Sequence, residues 1–341
     1  MSKRVREEEV MTTHLNLQDI PIELIGRGVA KYLNTVDRFL FSRTCRRFRG
    51  AYNKKARRII KIHNVASSVS SRNGHLNVLL WFRENHYALD FRLIGEIASC
   101  KGFLEMLKWT CSLGCSLRAE LCENAARGGH LDVLQWLREN SCPWDERTCE
   151  AAACSQNPET VLKWIRESGC PWDELTCAAL AKKGNLPLLQ WVRSRDCAWD
   201  ASTCAKAAHY GHLDVLQWAR SSGCPWNSFT CTNAAAGRHF ELLKWAREMG
   251  CPWNERVCNN AAENGDLEML KWARLNNCPW SSKTCASAAL SGELDVLKWL
   301  RNNGCPWDED TCETALDGGY TELFKWAREN GCPWSGDDDK I

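Results

Sequence analysis

A unit of 27 residues recurs along most of this 341-residue chain, and it constrains the fold more than any other feature. Each copy carries a cysteine just before a tryptophan or its counterpart, as in "CPWD", and nearly every gap to the next such cysteine is 27 residues, with one gap of 28. A second cysteine follows seven residues after the first. A fixed period of this length is typical of solenoids, in which each unit packs mainly against its neighbours.

The tryptophans follow the same pattern, and all eighteen fall within it. Ten of them end segments such as "LDVLQW", and eight stand in the "CPW" turns or their variant. Ten units therefore run from about residue 62 to 335. Because a tryptophan buries on the order of 150 to 250 Å², we expect these side chains to fill the volume between stacked layers.

Two helices are predicted in each unit. The first begins after "CPW", where a side chain able to accept a hydrogen bond from the first turn recurs; these residues are Asp145, Asp173, Asp200, Asn227, Asn254, Ser281 and Asp308. It runs through the second cysteine and an alanine pair, whose small side chains let neighbouring backbones approach closely. Glycines such as those in "GGH" at 128–130 end it.

The second helix is predicted from the apolar spacing of "LDVLQWLREN". Helical periodicity places an apolar stripe on one face, and its members are Leu131, Leu134 and Leu137, or Val133 and Trp136. One copy replaces Gly-His with Asn157 and Pro158 and has one extra residue. Asn as cap and Pro as first helical residue also suit a helix start.

The stretch "GHLDVLQWLRENSCPWD" resembles the ankyrin repeat. The second cysteine matches the Leu of that family's T-P-L-H motif, Gly129-His130 matches its Gly-His, and "CPWD" matches its G-A-D-V-N. The resemblance covers about four fifths of the chain, but the family's period is 33 residues. It implies hairpin-poor ankyrin-type repeats, as in large DNA viruses of protists, and an all-α fold: an α-solenoid of about ten stacked helix-turn-helix repeats.

The repeated C-x6-C spacing raises the question of metal or redox chemistry. Structural zinc sites bring ligands at tighter spacing, and no C-x-x-C occurs in the chain. Disulfides between equivalent cysteines of adjacent units are disfavoured, because packed helices lie about 8 to 10 Å apart and a bridge needs Cα atoms within about 7 Å. We therefore interpret the cysteines as small apolar residues of a stacked core, with no metal and no cofactor.

Composition and motifs narrow the function. No G-x-S-x-G motif, phosphate-binding glycine loop or other catalytic constellation appears, so we expect no enzyme. The net charge of +2, from 44 basic and 42 acidic residues, predicts no nucleic-acid partner. The longest apolar run is about five residues, so no membrane partner is expected. The N-terminus is unlike a secretory signal, so we expect an intracellular, cytoplasmic protein, with the nucleus or a viral host cell as alternatives.

The positions that vary while the repeat stays constant are candidates for recognition. The ankyrin resemblance implies that the two residues after the alanine pair line a binding face. The candidate partner-binding residues are Arg127, Lys182, Lys183, His209, Tyr210, Glu263, Leu290 and Asp317. They change from basic or aromatic in the middle copies to acidic in the later ones. The alternative is that each is simply a solvated helix end.

Residues 15–55 break the period and resemble an F-box, the helical module that docks on the adaptor subunit of cullin-based ubiquitin ligases. Ile20-Pro21 stands where that family has Leu-Pro, and "TCRRFR" where it often has C-R-x-W. The resemblance implies a three-helix module with adaptor-binding residues Ile20, Pro21, Leu24, Ile25, Leu33 and Leu40. Gly26, Gly28 and Phe48 depart from the pattern. The alternative is an N-terminal cap of the solenoid.

These observations predict four segments: a disordered N-terminus at 1–14, the F-box-like module at 15–55, the repeats at 56–335 and a disordered acidic tail at 336–341. The functional hypothesis is a monomeric, non-catalytic substrate receptor of a ubiquitin ligase. Its partners are the adaptor subunit and an unknown target protein. The rival hypothesis is an ankyrin-type scaffold or decoy that sequesters a partner without ubiquitination.

Overall fold

The computed structural model describes residues 70–84 and 88–336 of the chain. Every regular element in these residues is α-helical, and the bounded helices form a tandem repeat array. The described residues fall into two compact units, the first at 70–84, 88–125 and 132–142, the second at 126–131 and 143–336. Residues 15–55 lie outside the described part of the chain, and so do Ile20, Pro21, Leu24, Ile25, Leu33 and Leu40.

The helices alternate between the two predicted kinds. Even numbers denote the first helix of a repeat: α2 (Phe91–Lys101), α4 (Ala119–Gly128), α6 (Glu146–Ala153), α8 (Glu174–Lys183), α10 (Ala201–His209), α12 (Ser228–Ala236), α14 (Arg256–Glu263), α16 (Ser282–Leu290) and α18 (Glu309–Asp317). Odd numbers denote the second: α1 (Leu76–Glu84), α3 (Leu104–Ser112), α5 (Leu131–Glu139), α7 (Pro158–Glu167), α9 (Leu186–Arg193), α11 (Leu213–Ser221), α13 (Phe240–Glu248), α15 (Leu267–Leu275), α17 (Leu294–Asn302) and α19 (Thr321–Glu329).

The predicted caps explain where the first helices begin. Asp200 has an extended backbone and accepts a hydrogen bond from the Ser202 amide at 2.9 Å. Such a bond satisfies one of the free amides of a first turn, and it recurs at Asp145, Asp173, Asn227 and Asn254. Asp308 has the same backbone but makes no side-chain cap bond. The predicted helix start is therefore correct even where the cap bond is missing.

The core of the second unit is built from stacked first helices. Helices α8, α10, α12, α14, α16 and α18 pack in succession, each on the next. The alanine pairs in α10, α12, α14 and α16 are fully buried, which permits this close approach. In the second helices the buried stripe consists of residues such as Val215, Leu216 and Ala219 in α11. Burying one such leucine contributes about 2 kcal/mol relative to leaving it exposed.

The first unit follows the same local rules. Asp90 caps α2 by accepting from the Leu93 amide at 3.0 Å, and Gly102 ends α2 in the left-handed conformation. Helix α3 begins two residues after Gly102 and packs against α2. Arg118 forms an ion pair with Glu96 at 2.9 Å, which ties the start of α4 to α2.

The tryptophans correct one prediction in part, because none of them is fully buried. All eighteen are partly exposed in the structure. The tryptophan of a "CPW" turn meets the tryptophan within the next second helix edge to face, with ring centroids 5.6 to 6.1 Å apart. The pairs are Trp144–Trp164, Trp172–Trp191, Trp199–Trp218, Trp226–Trp245, Trp253–Trp272, Trp280–Trp299 and Trp307–Trp326.

An arginine accompanies six of these pairs. Arg220, near the end of α11, places its guanidinium 4.1 Å from the ring centroid of Trp226 and donates to the Cys224 carbonyl. The same arrangement recurs at Arg166, Arg193, Arg247, Arg274 and Arg301. Helical periodicity predicts that the indoles lie on the apolar stripe. In the structure each of these indoles lies at the edge of the stripe, where it packs against a neighbouring cation and keeps part of the ring surface in water.

Candidate binding surface

The candidate partner-binding residues share one structural position. Each lies in the last turn of a first helix or at its C-terminal cap, within the second compact unit. We call this set the helix-end surface: Arg127, Lys182, Lys183, His209, Tyr210, Glu263, Leu290 and Asp317. All are exposed except His209, which is partly buried. The fold therefore presents one variable position from repeat after repeat.

Three of these residues from adjacent repeats come together. The Lys182 ammonium lies 5.4 Å from the ring centroid of Tyr210, within the range of a cation–π contact. The rings of His209 and Tyr210 meet edge to face with centroids 4.8 Å apart. Tyr210 is 42% exposed, so the cluster offers a cation, an imidazole and a phenol to a partner.

The later members of the surface stand apart and differ in chemistry. Glu263 and Asp317 are exposed carboxylates at the ends of α14 and α18, and Leu290 ends α16 between them with 53% of its surface exposed. Among the described residues, no hydrogen bond or ion pair joins these three side chains. An exposed apolar residue between two anionic repeats suits a protein partner with complementary apolar and basic groups.

Two histidines that directly precede second helices anchor the surface to the previous repeat, a role that sequence reasoning missed. The His212 ring nitrogen Nε2 lies 3.1 Å from the Lys182 carbonyl, and that of His239 lies 3.1 Å from the His209 carbonyl. Each bond joins residues 30 positions apart. The ends of successive first helices are thereby fixed relative to one another.

A glycine makes room for this anchor. A Cβ atom at Gly211 would lie 2.5 Å from the His239 ring, and the backbone there has a φ of +77°, which disfavours any other residue. The repeated Gly-His signal was visible in the sequence, but only as a helix break. Its spatial meaning depends on contact between two repeats.

The cysteines form a buried layer rather than a reactive site. Cys204 and Cys224 hydrogen-bond to one another, and the Cys224 thiol also donates to the Asp200 carbonyl at 3.3 Å. The partners are therefore non-equivalent cysteines of successive repeats, an arrangement that the sequence analysis did not consider. The twenty described cysteines are free thiols, and seventeen of them are buried.

Thiolate chemistry is disfavoured at several of these thiols. Donating a hydrogen bond to Cys170, together with burial, raises the pKa of Cys149, and donating to Cys197, together with burial, raises the pKa of Cys177. Burial raises the pKa of Cys111 to about 12. Since the thiolate is the nucleophile and the metal ligand, these thiols stay protonated near neutral pH. Among the described residues, no group of three or more His, Cys, Asp or Glu is placed to hold a metal ion.

A search of the described helices finds none long and apolar enough to cross a membrane. No protein-family model matches this chain, and no curated protein matches it either.

Among solved structures, the chain is similar to the pentatricopeptide repeat protein PPR10 in complex with an 18-nt psaJ RNA element, at 14% identity and a TM-score of 0.45. That match covers 93% of this chain and 57% of the PPR10 chain. A cysteine-to-serine variant of PPR10 with the same RNA element gives the same values. PPR10 from maize gives 15% identity and a TM-score of 0.42, covering 93% and 58%. The chain thus spans less than two thirds of the structures it matches.

These RNA complexes contradict the prediction that nucleic acid is not among the partners. The prediction was based on a net charge of only +2. Net charge is a poor guide in a repeat array, because basic groups such as Lys182 and Lys183 concentrate in particular repeats and produce a local field that the total conceals.

Proposed function

We propose that this chain is a non-catalytic, intracellular binding protein whose repeats hold a partner protein through the helix-end surface. The observation that carries the proposal is the contrast within each repeat. Buried cysteine, alanine and leucine positions recur with little change, whereas the ends of the first helices are exposed and differ in charge, size and polarity. A rigid frame with variable side chains at one repeated position suits recognition of a macromolecule.

The finer proposal concerns what happens to the bound partner. The F-box resemblance of residues 15–55 supports a substrate receptor that brings a target to a cullin-based ubiquitin ligase, with hairpin-poor ankyrin-type repeats as the target-binding part. In this proposal Leu24 and Leu33 contribute to the apolar face that meets the adaptor. Ubiquitin transfer takes place on other subunits.

Retention of the purified adaptor subunit by the immobilised full chain tests the finer proposal. Leu24→Asp combined with Leu33→Asp is expected to abolish retention, because two charges in a desolvated apolar interface oppose binding. A matched control, Val5→Asp with Val10→Asp, alters the segment before the module and is expected to leave retention unchanged.

Two outcomes would replace the receptor proposal by the scaffold or decoy hypothesis. One is failure of the intact chain to retain the adaptor. The other is a chain lacking residues 1–55 that still binds its target and has the same effect in cells as the full chain. Target binding that survives the deletion while turnover stops would support the receptor.

A further inference from the structure

The partly exposed tryptophans form two equivalent grooves on the second helices, separate from the helix-end surface. Groove 1 has a volume of about 290 Å³ and is lined by Gln217, Arg220, Ser221, Trp226, Trp245 and Met249. Groove 2, of about 330 Å³, is lined by Lys271, Arg274, Leu275, Trp280, Trp299 and Asn303. Arg220 and Arg274 occupy the same place two repeats apart. We propose that the two grooves together bind an acidic peptide segment with two apolar side chains about six residues apart.

The walls of both grooves favour an apolar or aromatic side chain in the ligand. Trp226 and Trp245 meet at 6.0 Å and 69°, and Trp280 and Trp299 at 6.0 Å and 70°. Each groove has an exposed apolar rim: Met249 is 59% exposed in groove 1 and Leu275 is 83% exposed in groove 2. Covering these rims and the indoles would remove apolar surface from water, which favours binding by about 25 cal/mol per Å².

The arginine side chains of the grooves favour an anionic ligand. Arg220 and Arg274 stack on Trp226 and Trp280 at 4.1 and 3.9 Å and donate to the carbonyls of Cys224 and Cys278. A guanidinium has five N–H donors, so most of its donor capacity remains. Neither arginine forms an ion pair within the described part of the chain, and no carboxylate lines either groove. Lys271 adds a second cation to groove 2.

The repeat between the two grooves differs in that its lysine forms an ion pair. Arg247 stacks on Trp253 in the same way, at 4.1 Å. There, however, Lys244 forms an ion pair with Glu241 at 2.8 Å and lies over Phe240. Phe240 in turn packs edge to face on Trp272 at 5.6 Å. An anionic ligand that spans both grooves would therefore contact the arginine of each groove. Between the grooves it would pass Lys244, whose charge is already paired with Glu241.

This alternation favours a peptide over a continuous polyphosphate. Exposed carboxylates recur at the second position of successive second helices, at Asp214, Glu241, Glu268 and Asp295. In α11, Asp214 lies on the same helical face as Gln217, three residues later. A phosphate at every step of a nucleic acid would face these carboxylates, whereas a peptide can place its acidic groups only where the arginines lie. One indole face is also occupied by a guanidinium, so less ring is open for stacking.

The separation of the grooves sets the spacing of the ligand. Neighbouring packed helices lie about 8 to 10 Å apart, so grooves two repeats apart are separated by about 20 Å. An extended peptide covers about 3.3 to 3.6 Å per residue. Two apolar side chains that occupy both grooves are therefore about six residues apart.

The test is fluorescence anisotropy with the full chain and a fluorescein-labelled peptide that carries two leucines six positions apart among aspartates and glutamates. We expect saturable binding that weakens with added NaCl. Arg220→Gln combined with Arg274→Gln, and separately Met249→Asp combined with Leu275→Asp, should each reduce the affinity by about tenfold or more. Thermal unfolding of each variant verifies that it is folded.

Two variants serve as controls. Arg193→Gln removes the same contacts, to Trp199 at 4.1 Å and to the Cys197 carbonyl, outside both grooves. Leu290→Asp alters the helix-end surface and leaves the grooves intact. Neither variant should change the affinity for the peptide. Because Leu290 belongs to the helix-end surface and not to the grooves, failure of the groove proposal is distinguishable from failure of the proposed function.

Three results would overturn the proposal. The first is absence of saturable binding. The second is equal affinity for a peptide whose leucines are adjacent, or an equal loss in Arg193→Gln. The third is a single-stranded RNA of about twelve nucleotides that binds more tightly than the peptide and loses affinity in the same groove variants, which would assign the grooves to nucleic acid.

Discussion

The two ends of a first helix in the second unit differ in burial and in the residues they contact. In α10, Cys204 lies in the second turn, is fully buried and hydrogen-bonds to Cys224. At the other end, His209 and Tyr210 meet each other and, through Lys182, the preceding repeat, with the tyrosine well exposed. The buried thiol layer fixes how repeats stack, and the helix-end surface is free to change. The position of a residue along one short helix therefore determines whether it packs between repeats or is available at the helix-end surface.

The largest expected effect concerns the thiol layer at high pH. Donation of a hydrogen bond to the partner thiol, followed by burial, raises the pKa of Cys149, Cys177 and Cys285 in the folded chain, whereas an unfolded cysteine titrates near pH 8.5. Above that pH the unfolded state releases protons that the folded state keeps. Stability is therefore intact below about pH 8.5 and falls as the pH rises, by about 2 kcal/mol for each such thiol at pH 10.

Urea unfolding followed by circular dichroism at pH 7.5 and pH 10 measures this effect. The variant Cys177→Ala removes one titrating thiol, so its loss of stability between the two pH values is expected to be smaller by about 2 kcal/mol. Equal losses in the variant and the parent would show that the thiols do not couple folding to pH.

A smaller effect is expected at two glycines in the turns on either side of α11. Gly211 and Gly223 both have positive φ, +77° and +85°, but a Cβ at Gly211 would meet His239 whereas one at Gly223 meets nothing within 4 Å. Gly223→Ala is expected to cost about 1 kcal/mol from backbone strain alone. Gly211→Ala should cost about 1 kcal/mol more, because it also disturbs the contact between repeats.

The same urea titration at neutral pH compares the two variants. Adding His239→Ala to Gly211→Ala removes the clash and is expected to recover part of the difference. Equal losses for Gly211→Ala and Gly223→Ala would mean that the histidine does not hold adjacent repeats together.

Much of the repeat fold was predictable, because its signals are local. The period of 27, the capping residues such as Asp145 and the buried stripe of each second helix depend on residues within one unit. Sequence reasoning also placed the cysteines in the core and the variable residues at the ends of the first helices. These features follow from helix geometry and burial of small apolar side chains.

Contacts between units could not be predicted in the same way. The sequence analysis compared equivalent cysteines of adjacent repeats, whereas the structure pairs Cys204 with Cys224. Helical periodicity placed Trp136 and its counterparts on the apolar face, but it did not reveal that an arginine and a second indole would share their surface outside the core. Both outcomes depend on the registry of one repeat on the next, which no single unit specifies.

The central claim is that recognition depends on the helix-end surface and not on exposed first-helix residues in general. Quantitative mass spectrometry of proteins retained by the full chain tests it with two matched triple variants. The first combines Lys182→Glu, Tyr210→Ala and Leu290→Asp. The second combines Lys283→Glu, Phe229→Ala and Leu175→Asp, exposed residues in the first turn of the same kind of helix. We predict that at least one protein enriched by the parent chain is lost from the first variant and kept by the second, with similar thermal unfolding of both. Equal retention by the two variants would contradict the account.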